Sequence, residues 1–197
     1  MYQANEPYFQ PLSKAILTEA IKVFYQFGYK KCSMEDIATA AKVSRQTLHL
    51  YFRNKEQLFR AALEIMTHDL LIAIQNVADN QNDAIEDILS EIFDVLCGKQ
   101  GAVSSAANIA ELMAVAHSKE RHLITRFQTK VQEILANALS RAGIDTHWQQ
   151  QGISAQDLAL HLLDTSAGIK SLFTKGDDSN YLRRMAIAIR VVVIGAR

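Results

Sequence analysis

The sequence of 197 residues is 49% hydrophobic and 21% charged, a composition that is typical of a globular protein and excludes a disordered chain. The formal net charge is zero, but residues 1–60 contain nine Lys and Arg against five Asp and Glu, whereas residues 61–197 contain twelve against sixteen. A short basic N-terminal part predicts a module that faces a polyanion, followed by a part with another role.

Sequence features that would direct the chain to a membrane or to a cofactor are missing. Cys32 and Cys97 form no CxxC motif and no Cys/His spacing suited to zinc, so we expect free thiols, no metal and no other cofactor. The start, MYQANEPYFQ, has no basic region followed by an apolar run, and the apolar segment 186–196 is too short to cross a bilayer. These features predict a soluble cytoplasmic protein that does not contact a membrane.

The hydrophobic pattern predicts an all-α fold of about nine helices. The two prolines are Pro7 and Pro11, and apolar residues recur at helical spacing along the rest of the chain. Ser33, Ser44 and Asn54 each precede such a run as candidate N-caps. The predicted helices are 13–27, three that begin at the caps, one around 85–96, and then 104–116, 119–142, 154–174 and 178–194. We interpret the segment 145–152 as a polar loop.

The second and third predicted helices are short and are separated by a tight turn at residues 42–43, which is the layout of a helix-turn-helix. Leu48, Tyr51 and Phe52 can point inward at helical spacing. On the opposite face, arginine can donate two hydrogen bonds to guanine, glutamine can pair with adenine, and leucine can contact a thymine methyl. The residues predicted to approach bases are Arg45, Gln46, His49 and Leu50. A solvated basic face is the alternative.

A second group of polar residues is suited to backbone phosphates. Ser44 and Thr47 lie at a helix N-terminus, where free N–H groups and the helix dipole attract anions. Lys55 lies in the first turn of the next helix, where a cation opposes the dipole, and a nearby phosphate would explain its position. Ser33, which caps the first helix of the pair, is also predicted to bind DNA.

The last two predicted helices, 154–174 and 178–194, are apolar on more than one face. A helix that is apolar on most sides must be buried on most sides, so a second copy of the chain would cover these helices as a four-helix interface. The alternative is that they are central helices of a single bundle. The residues predicted to form the dimer interface are Leu162, Ile169, Phe173, Met185, Ile189 and Val192.

Residues 16–64 resemble the N-terminal DNA-binding domain of the TetR/AcrR transcriptional regulators. The resemblance rests on A-x-x-x-F-x-x-x-G-Y from Ala20 to Tyr29, M-x-x-I-A-x-x-A at 34–41, V-S-x-x-T-L at 43–48 and Y-F-x-x-K-E-x-L at 51–58. It covers about residues 10–70. In two places the sequence departs from the family pattern: Lys42 replaces a glycine, so it must accept strain or use a different turn, and His49 replaces an aromatic residue.

The resemblance implies a DNA-binding domain at 10–70 with its helix-turn-helix at 33–52, followed by a helical effector-binding and dimerisation domain at 71–197. It implies base contacts from the four residues already singled out, and phosphate contacts from Thr47, Tyr51 and Lys55. It also implies a small, largely apolar effector. Candidate pocket residues are Ile92, Phe93, Leu96, Met113, His117, Phe127 and Val131, for which plain core packing is the alternative.

These observations predict a ligand-responsive DNA-binding regulator, a repressor that binds a pseudo-palindromic operator as a homodimer. An activator of the same fold and a helical interaction module with a silent DNA head are the alternatives. We expect no enzymatic activity, because the sequence contains no phosphate loop, no dinucleotide fingerprint and no supported catalytic triad. Cys97 is interpreted as an inert thiol, with a redox or electrophile sensor as the alternative.

Overall fold

The computed structural model describes residues 10–80, 82–97, 106–171 and 178–195, and over these residues the predicted all-α fold is confirmed. The described part contains ten helices. They are α1 Pro11–Phe27, α2 Met34–Ala40, α3 Arg45–Tyr51, α4 Lys55–Ala78, α5 Ile85–Cys97, α6 Ala106–Lys119, α7 Arg121–Arg141, α8 Ile144–Gln149, α9 Ala155–Ser171 and α10 Asp178–Ile194.

Polar side chains begin the short helices, as the sequence predicts. Ser33 and Asp36 form a reciprocal capping box at α2, and Ser44 Oγ accepts a hydrogen bond of 2.9 Å from the Thr47 N–H at α3. Asn54 Oδ1 accepts one of 2.8 Å from the backbone N–H of residue 57 at α4. These caps fix the beginnings of the helices on which the predicted DNA-binding residues lie.

The segment 145–152 is not a loop throughout, because α8 occupies its first half. Gly143 precedes α8 with φ of 71°, and Ile144 is buried. Trp148 packs, partly buried, against the apolar core that includes Ile144 and Val192, and its Nε1 donates to the Val192 carbonyl at 3.0 Å. One buried and one partly buried apolar side chain, four residues apart, are enough to anchor a helix of six residues.

The chain divides into two compact units. The first contains the described residues of 1–69 and 103–124, and the second contains those of 70–102 and 125–197. The boundaries fall within α4 and within α7. The assignment of DNA binding to a domain at 10–70 and of effector binding to a domain at 71–197 remains a prediction.

The first unit has its own apolar core, built by α1 to α3, the start of α4, and α6. Helix α6 is held to the end of α1 by polar contacts. Asn108 Nδ2 donates to the Gln26 carbonyl at 2.6 Å, and Glu111 Oε1 accepts from the Lys30 N–H at 2.7 Å. Gly28 has a φ of 79°, and a Cβ built on it would lie 3.2 Å from Glu111 Oε2. The close approach of α6 therefore favours glycine at this position.

The second unit has a separate core, in which α10 packs against α5 and α9. Two buried hydroxyl groups, Ser166 and Tyr181, lie 2.8 Å apart and satisfy each other inside it. Across the described part of the chain, no helix is both long enough and apolar enough to span a membrane.

Candidate nucleic-acid interface

A tight turn joins α2 to α3. Lys42 adopts φ of 56°, the only positive φ among the non-glycine residues that the structure describes. Its N–H donates to the Thr39 carbonyl at 3.2 Å, and the Val43 N–H donates to the Ala38 carbonyl at 3.0 Å. This is the Schellman pattern, whose C′ residue is usually glycine. The sequence left two alternatives, a strained Lys42 or a different turn. The structure has the first, because Lys42 itself adopts the left-handed conformation.

Helix α3 has one buried face and one exposed face. Leu48 is fully buried in the first core, as is Phe52, which follows the helix. Arg45, Gln46 and His49 are exposed, as is Leu50, 80% of whose surface is accessible. An apolar side chain with that exposure gains nothing from the fold of the chain itself. The structure thus brings the four residues predicted to approach bases onto the exposed face of α3.

The two cap hydroxyls are already engaged within the chain. Ser44 Oγ lies 2.8 Å from the Thr47 hydroxyl, and Ser33 Oγ donates to Asp36 Oδ2 at 2.6 Å. The hydrogen bonds from Ser33 lower the pKa of the Asp36 carboxyl. These serines position the N-termini of α2 and α3, and their predicted contacts with DNA remain predictions.

Tyr51 does not point inward, which corrects the inward face predicted for α3. Its side chain is 37% exposed, whereas Leu48 and Phe52 fill the interior. Because α3 ends at Tyr51, the helical spacing that relates the three residues does not continue through Phe52, which has extended backbone angles. An exposed Tyr51 is compatible with the phosphate contact that the resemblance implies.

Lys55 has intramolecular partners that the sequence did not reveal. Its Nζ donates to the Tyr29 carbonyl at 2.9 Å and to the Cys32 carbonyl at 2.8 Å, and it lies 4.6 Å from the centre of the Tyr29 ring. Two carbonyl dipoles and an aromatic face offset the unfavourable position of this cation at the beginning of α4. The position of Lys55 therefore has an explanation within the chain, and its contact with a backbone phosphate remains a prediction.

Tyr29 is buried beside this lysine. Its hydroxyl has no hydrogen-bond partner within normal distance. Burial, and then the adjacent Glu56 carboxylate, raise the pKa of Tyr29 to about 12. Lys55, Tyr29 and the loop carbonyls thus join α4 to the segment between α1 and α2.

The predicted dimer interface needs correction. The side chains in question are between 0% and 6% exposed within a single chain, so they belong to its own core and cannot be the surface that meets a second copy. They are Leu162, Ile169, Met185, Ile189 and Val192; Phe173 lies outside the described residues. The exposed apolar side chains of these helices are Leu160 at 45% on α9, and Ile187 at 55%, Val191 at 62% and Ile194 at 53% on α10.

The predicted effector-pocket residues fall in both units. Ile92, Phe93 and Val131 are buried in the second core, and Leu96 and Phe127 pack partly buried against it. Met113 and His117 are exposed on α6, which belongs to the first unit. The pocket remains a prediction. Within the described residues, no group of three His, Cys, Asp or Glu side chains is arranged to hold a metal ion.

Glu35 is a charged residue of the helix-turn-helix that is absent from the predicted DNA-binding set. It lies in the first turn of α2, and its Oε2 is 3.9 Å from Arg45 Nε. The residue could have been noticed in the sequence, since an acidic side chain is unusual in a segment expected to face phosphates.

The sequence of the first unit matches a known family. The family model described as bacterial regulatory proteins of the tetR family matches residues 16–62. An uncharacterized HTH-type transcriptional regulator of Bacillus subtilis, YhgD, is 48% identical over 46 residues, which is 23% of this chain and 24% of that protein. This match therefore covers about a quarter of the relative.

Longer matches extend over the second unit as well. The nicotine-responsive transcriptional repressor HdnoR of Paenarthrobacter nicotinovorans is 24% identical over 157 residues, or 75% of this chain and 76% of that protein. The crystal structure of a TetR transcriptional regulator from Legionella pneumophila superposes with a TM-score of 0.73 at 19% identity, covering 98% of this chain and all of that one. At that identity the superposition shows a shared fold.

Proposed function

We propose that this chain, which belongs to the TetR family of bacterial regulatory proteins, is a repressor that binds a pseudo-palindromic operator as a homodimer and is released by a small effector. DNA binding and transcription regulation follow from the family. Repression, the response to an effector and the homodimer are the parts that we propose.

The observation that carries the proposal is the exposed face of α3. Arg45, Gln46 and Leu50 are accessible on a helix whose opposite face is anchored by the fully buried Leu48. These side chains can read guanine, adenine and thymine in the major groove. A recognition helix held rigidly by its own core can present them in one orientation, which is what base discrimination needs.

The exposed apolar face of α10 supports a homodimer. Ile187, Val191 and Ile194 follow one another at spacings of four and three residues, so they lie on one side of the helix. Two copies joined there by a two-fold axis would each carry one recognition helix. Binding to successive major grooves of one DNA face requires a separation of about 34–36 Å between these helices.

Release by an effector requires only that the effector bind more tightly to a dimer whose recognition helices are wrongly spaced. The relative HdnoR is described as nicotine-responsive, which supports an organic effector for this chain without identifying it. The apolar lining predicted for the pocket favours a largely apolar molecule.

The proposal can be tested by selecting bound duplexes from a random DNA pool with the full chain. We expect an enriched motif with two-fold symmetry whose half-site centres are about 10 base pairs, or a multiple of that, apart. A library of small organic molecules is then screened for release of the labelled motif. An enriched motif without symmetry would contradict the homodimer, and no enrichment at all would contradict specific DNA binding.

A further inference from the structure

The carboxylate of Glu35 and the guanidinium of Arg45 form an ion pair across the turn of the helix-turn-helix. The pair joins Glu35 Oε2 to Arg45 Nε at 3.9 Å, and the two side chains are 64% and 68% exposed. Glu35 lies in the first turn of α2, and Arg45 is the first residue of α3. The pair therefore lies at the N-terminal end of the helix whose exposed face carries the proposed base contacts.

The helix dipoles act in opposite directions on the two charges of the pair. A carboxylate is favourable at the beginning of α2, whereas a guanidinium is unfavourable at the beginning of α3. Asp36, the other acidic residue in the first turn of α2, receives hydrogen bonds from the Ser33 N–H and hydroxyl at 2.8 and 2.6 Å. Glu35 is thus the acidic side chain of α2 that faces Arg45.

The contact is made through Nε, and this choice of atom matters for recognition. An arginine that reads guanine end-on uses its two Nη groups to donate to O6 and N7. At 3.9 Å, beyond hydrogen-bond distance, a carboxylate on the Nε side exerts a weak electrostatic restraint on the guanidinium and leaves both Nη groups available. A long, exposed arginine without such a restraint would lose more rotamer freedom when it binds.

We propose that Glu35 is a positioning residue for specificity: it orients Arg45 for one base pair and weakens binding to all other DNA. This inference rests on the proposed function, because it assumes that α3 reads bases. The second effect follows from charge. The first helix of a helix-turn-helix crosses the DNA backbone, so a carboxylate on α2 repels phosphates whatever their sequence. That repulsion is offset only where Arg45 finds its correct base.

The test compares the full-length wild-type chain with Glu35→Gln on a duplex selected by the wild type and on its single-base variants. For Glu35→Gln we expect discrimination at the base pair read by Arg45 to fall about two- to fivefold, the range of an exposed ion pair. Discrimination at the other base pairs is expected to stay unchanged. Affinity for random-sequence duplex is expected to rise at least twofold, because a negative charge near phosphates is removed.

Two further variants separate positioning from a merely structural or global charge effect. In an Arg45→Ala background, Glu35→Gln should no longer change discrimination at any base pair but should still raise affinity for random duplex. Glu19→Gln removes the same charge from α1, where Glu19 pairs with Lys22 at 2.7 Å, and should change neither quantity by as much as twofold. Thermal melting should show that each variant folds.

The outcomes distinguish this inference from the proposed function. If the wild type prefers its selected duplex but Glu35→Gln leaves discrimination unchanged at every base pair, Glu35 has no positioning role and the regulator remains. A loss spread equally over all base pairs would also overturn the inference. If the wild type selects no duplex, the proposed function fails first.

Discussion

Lys42 carries the clearest backbone strain in the helix-turn-helix. A left-handed conformation costs an L-residue with a Cβ roughly 1–2 kcal/mol, and Lys42 adopts it at φ of 56°. Two hydrogen bonds to the carbonyls at the end of α2 hold it there. The turn geometry is therefore determined by the backbone hydrogen bonds that end α2, and the lysine is tolerated within it.

Replacing Lys42 with glycine should raise the free energy of unfolding by about 1 kcal/mol, because glycine adopts positive φ without a steric penalty. Urea unfolding followed by circular dichroism measures the change. Lys31→Gly is the matched control, since Lys31 lies in a nearby loop without positive φ and should lose stability. A lower free energy of unfolding in Lys42→Gly would show that the positive φ of Lys42 does not cost stability.

Lys55 stabilises the first unit through its two carbonyl acceptors. Lys55→Ala should lower the free energy of unfolding by about 1–3 kcal/mol, since it removes two charge-assisted hydrogen bonds and leaves the loop carbonyls of residues 29 and 32 with fewer donors. Lys30→Ala, at an exposed side chain of the same loop, should change it by less than about 0.5 kcal/mol. If Lys55→Ala unfolds like the wild type and instead flattens the salt dependence of DNA binding, the phosphate role is the correct one.

Among the single helices, α8 is the one that the local hydrophobic pattern did not predict. The sequence 145–152 looks polar because most of its side chains face water, and Trp148 is the one apolar side chain in it that is partly buried, which is too little to create a visible stripe. Trp148 is held by a hydrogen bond to the carbonyl of Val192, which lies more than forty positions later in the chain. No periodicity within a window of ten residues contains that information.

The contact between α8 and the end of α10 makes a specific prediction about Gly195. A Cβ built on Gly195 would lie 2.6 Å from Trp148 Cζ2, closer than non-bonded carbon atoms approach. Gly195→Ala should therefore lower the melting temperature, with a free-energy cost of about 1–3 kcal/mol. Since Trp148 is the single tryptophan of the sequence, its fluorescence emission should shift to longer wavelength as the ring is displaced.

The same substitution in a Trp148→Phe background should cost less, because the smaller ring leaves room for the added methyl group. Equal costs in both backgrounds would show that the two positions do not contact each other.

Local signals predicted the beginnings of α2, α3 and α4, because a cap and its helix lie within four residues of each other. They did not predict which apolar face of α10 is inward. Ile189 and Val192 are buried, whereas Ile187 and Val191 are exposed, yet all four are β-branched and apolar. Only packing against α5 and α9 distinguishes them. For the same reason the partners of Lys55 and the pairing of Glu35 with Arg45 could not be read from spacing alone.

At the scale of the whole molecule, the exposed stripe of α10 predicts where two copies meet. Ile187→Arg places a charge in that stripe while leaving the core intact. We expect the wild type to be a dimer at micromolar concentration and the variant to be helical but monomeric. Light scattering after gel filtration measures the mass.

Ile189→Arg is the control for this experiment, since Ile189 is fully buried in the chain. A charge there should lower stability by several kcal/mol and cause unfolding or aggregation. A helical Ile187→Arg variant with an unchanged dimer mass would contradict the interface proposed on α10.

We propose that α3 reads the DNA sequence, and base-resolved competition binding measures this directly. A labelled selected duplex is competed with its single-base variants and with random duplex, for the wild type and for Arg45→Ala, at one stated salt concentration. The wild type should prefer its site at least about a thousandfold over random duplex, and Arg45→Ala should lose about 1–3 kcal/mol of discrimination at one base pair per half-site. Equal affinity of the wild type for selected and random duplexes, or a loss in Arg45→Ala that is uniform across all base pairs, would contradict the claim.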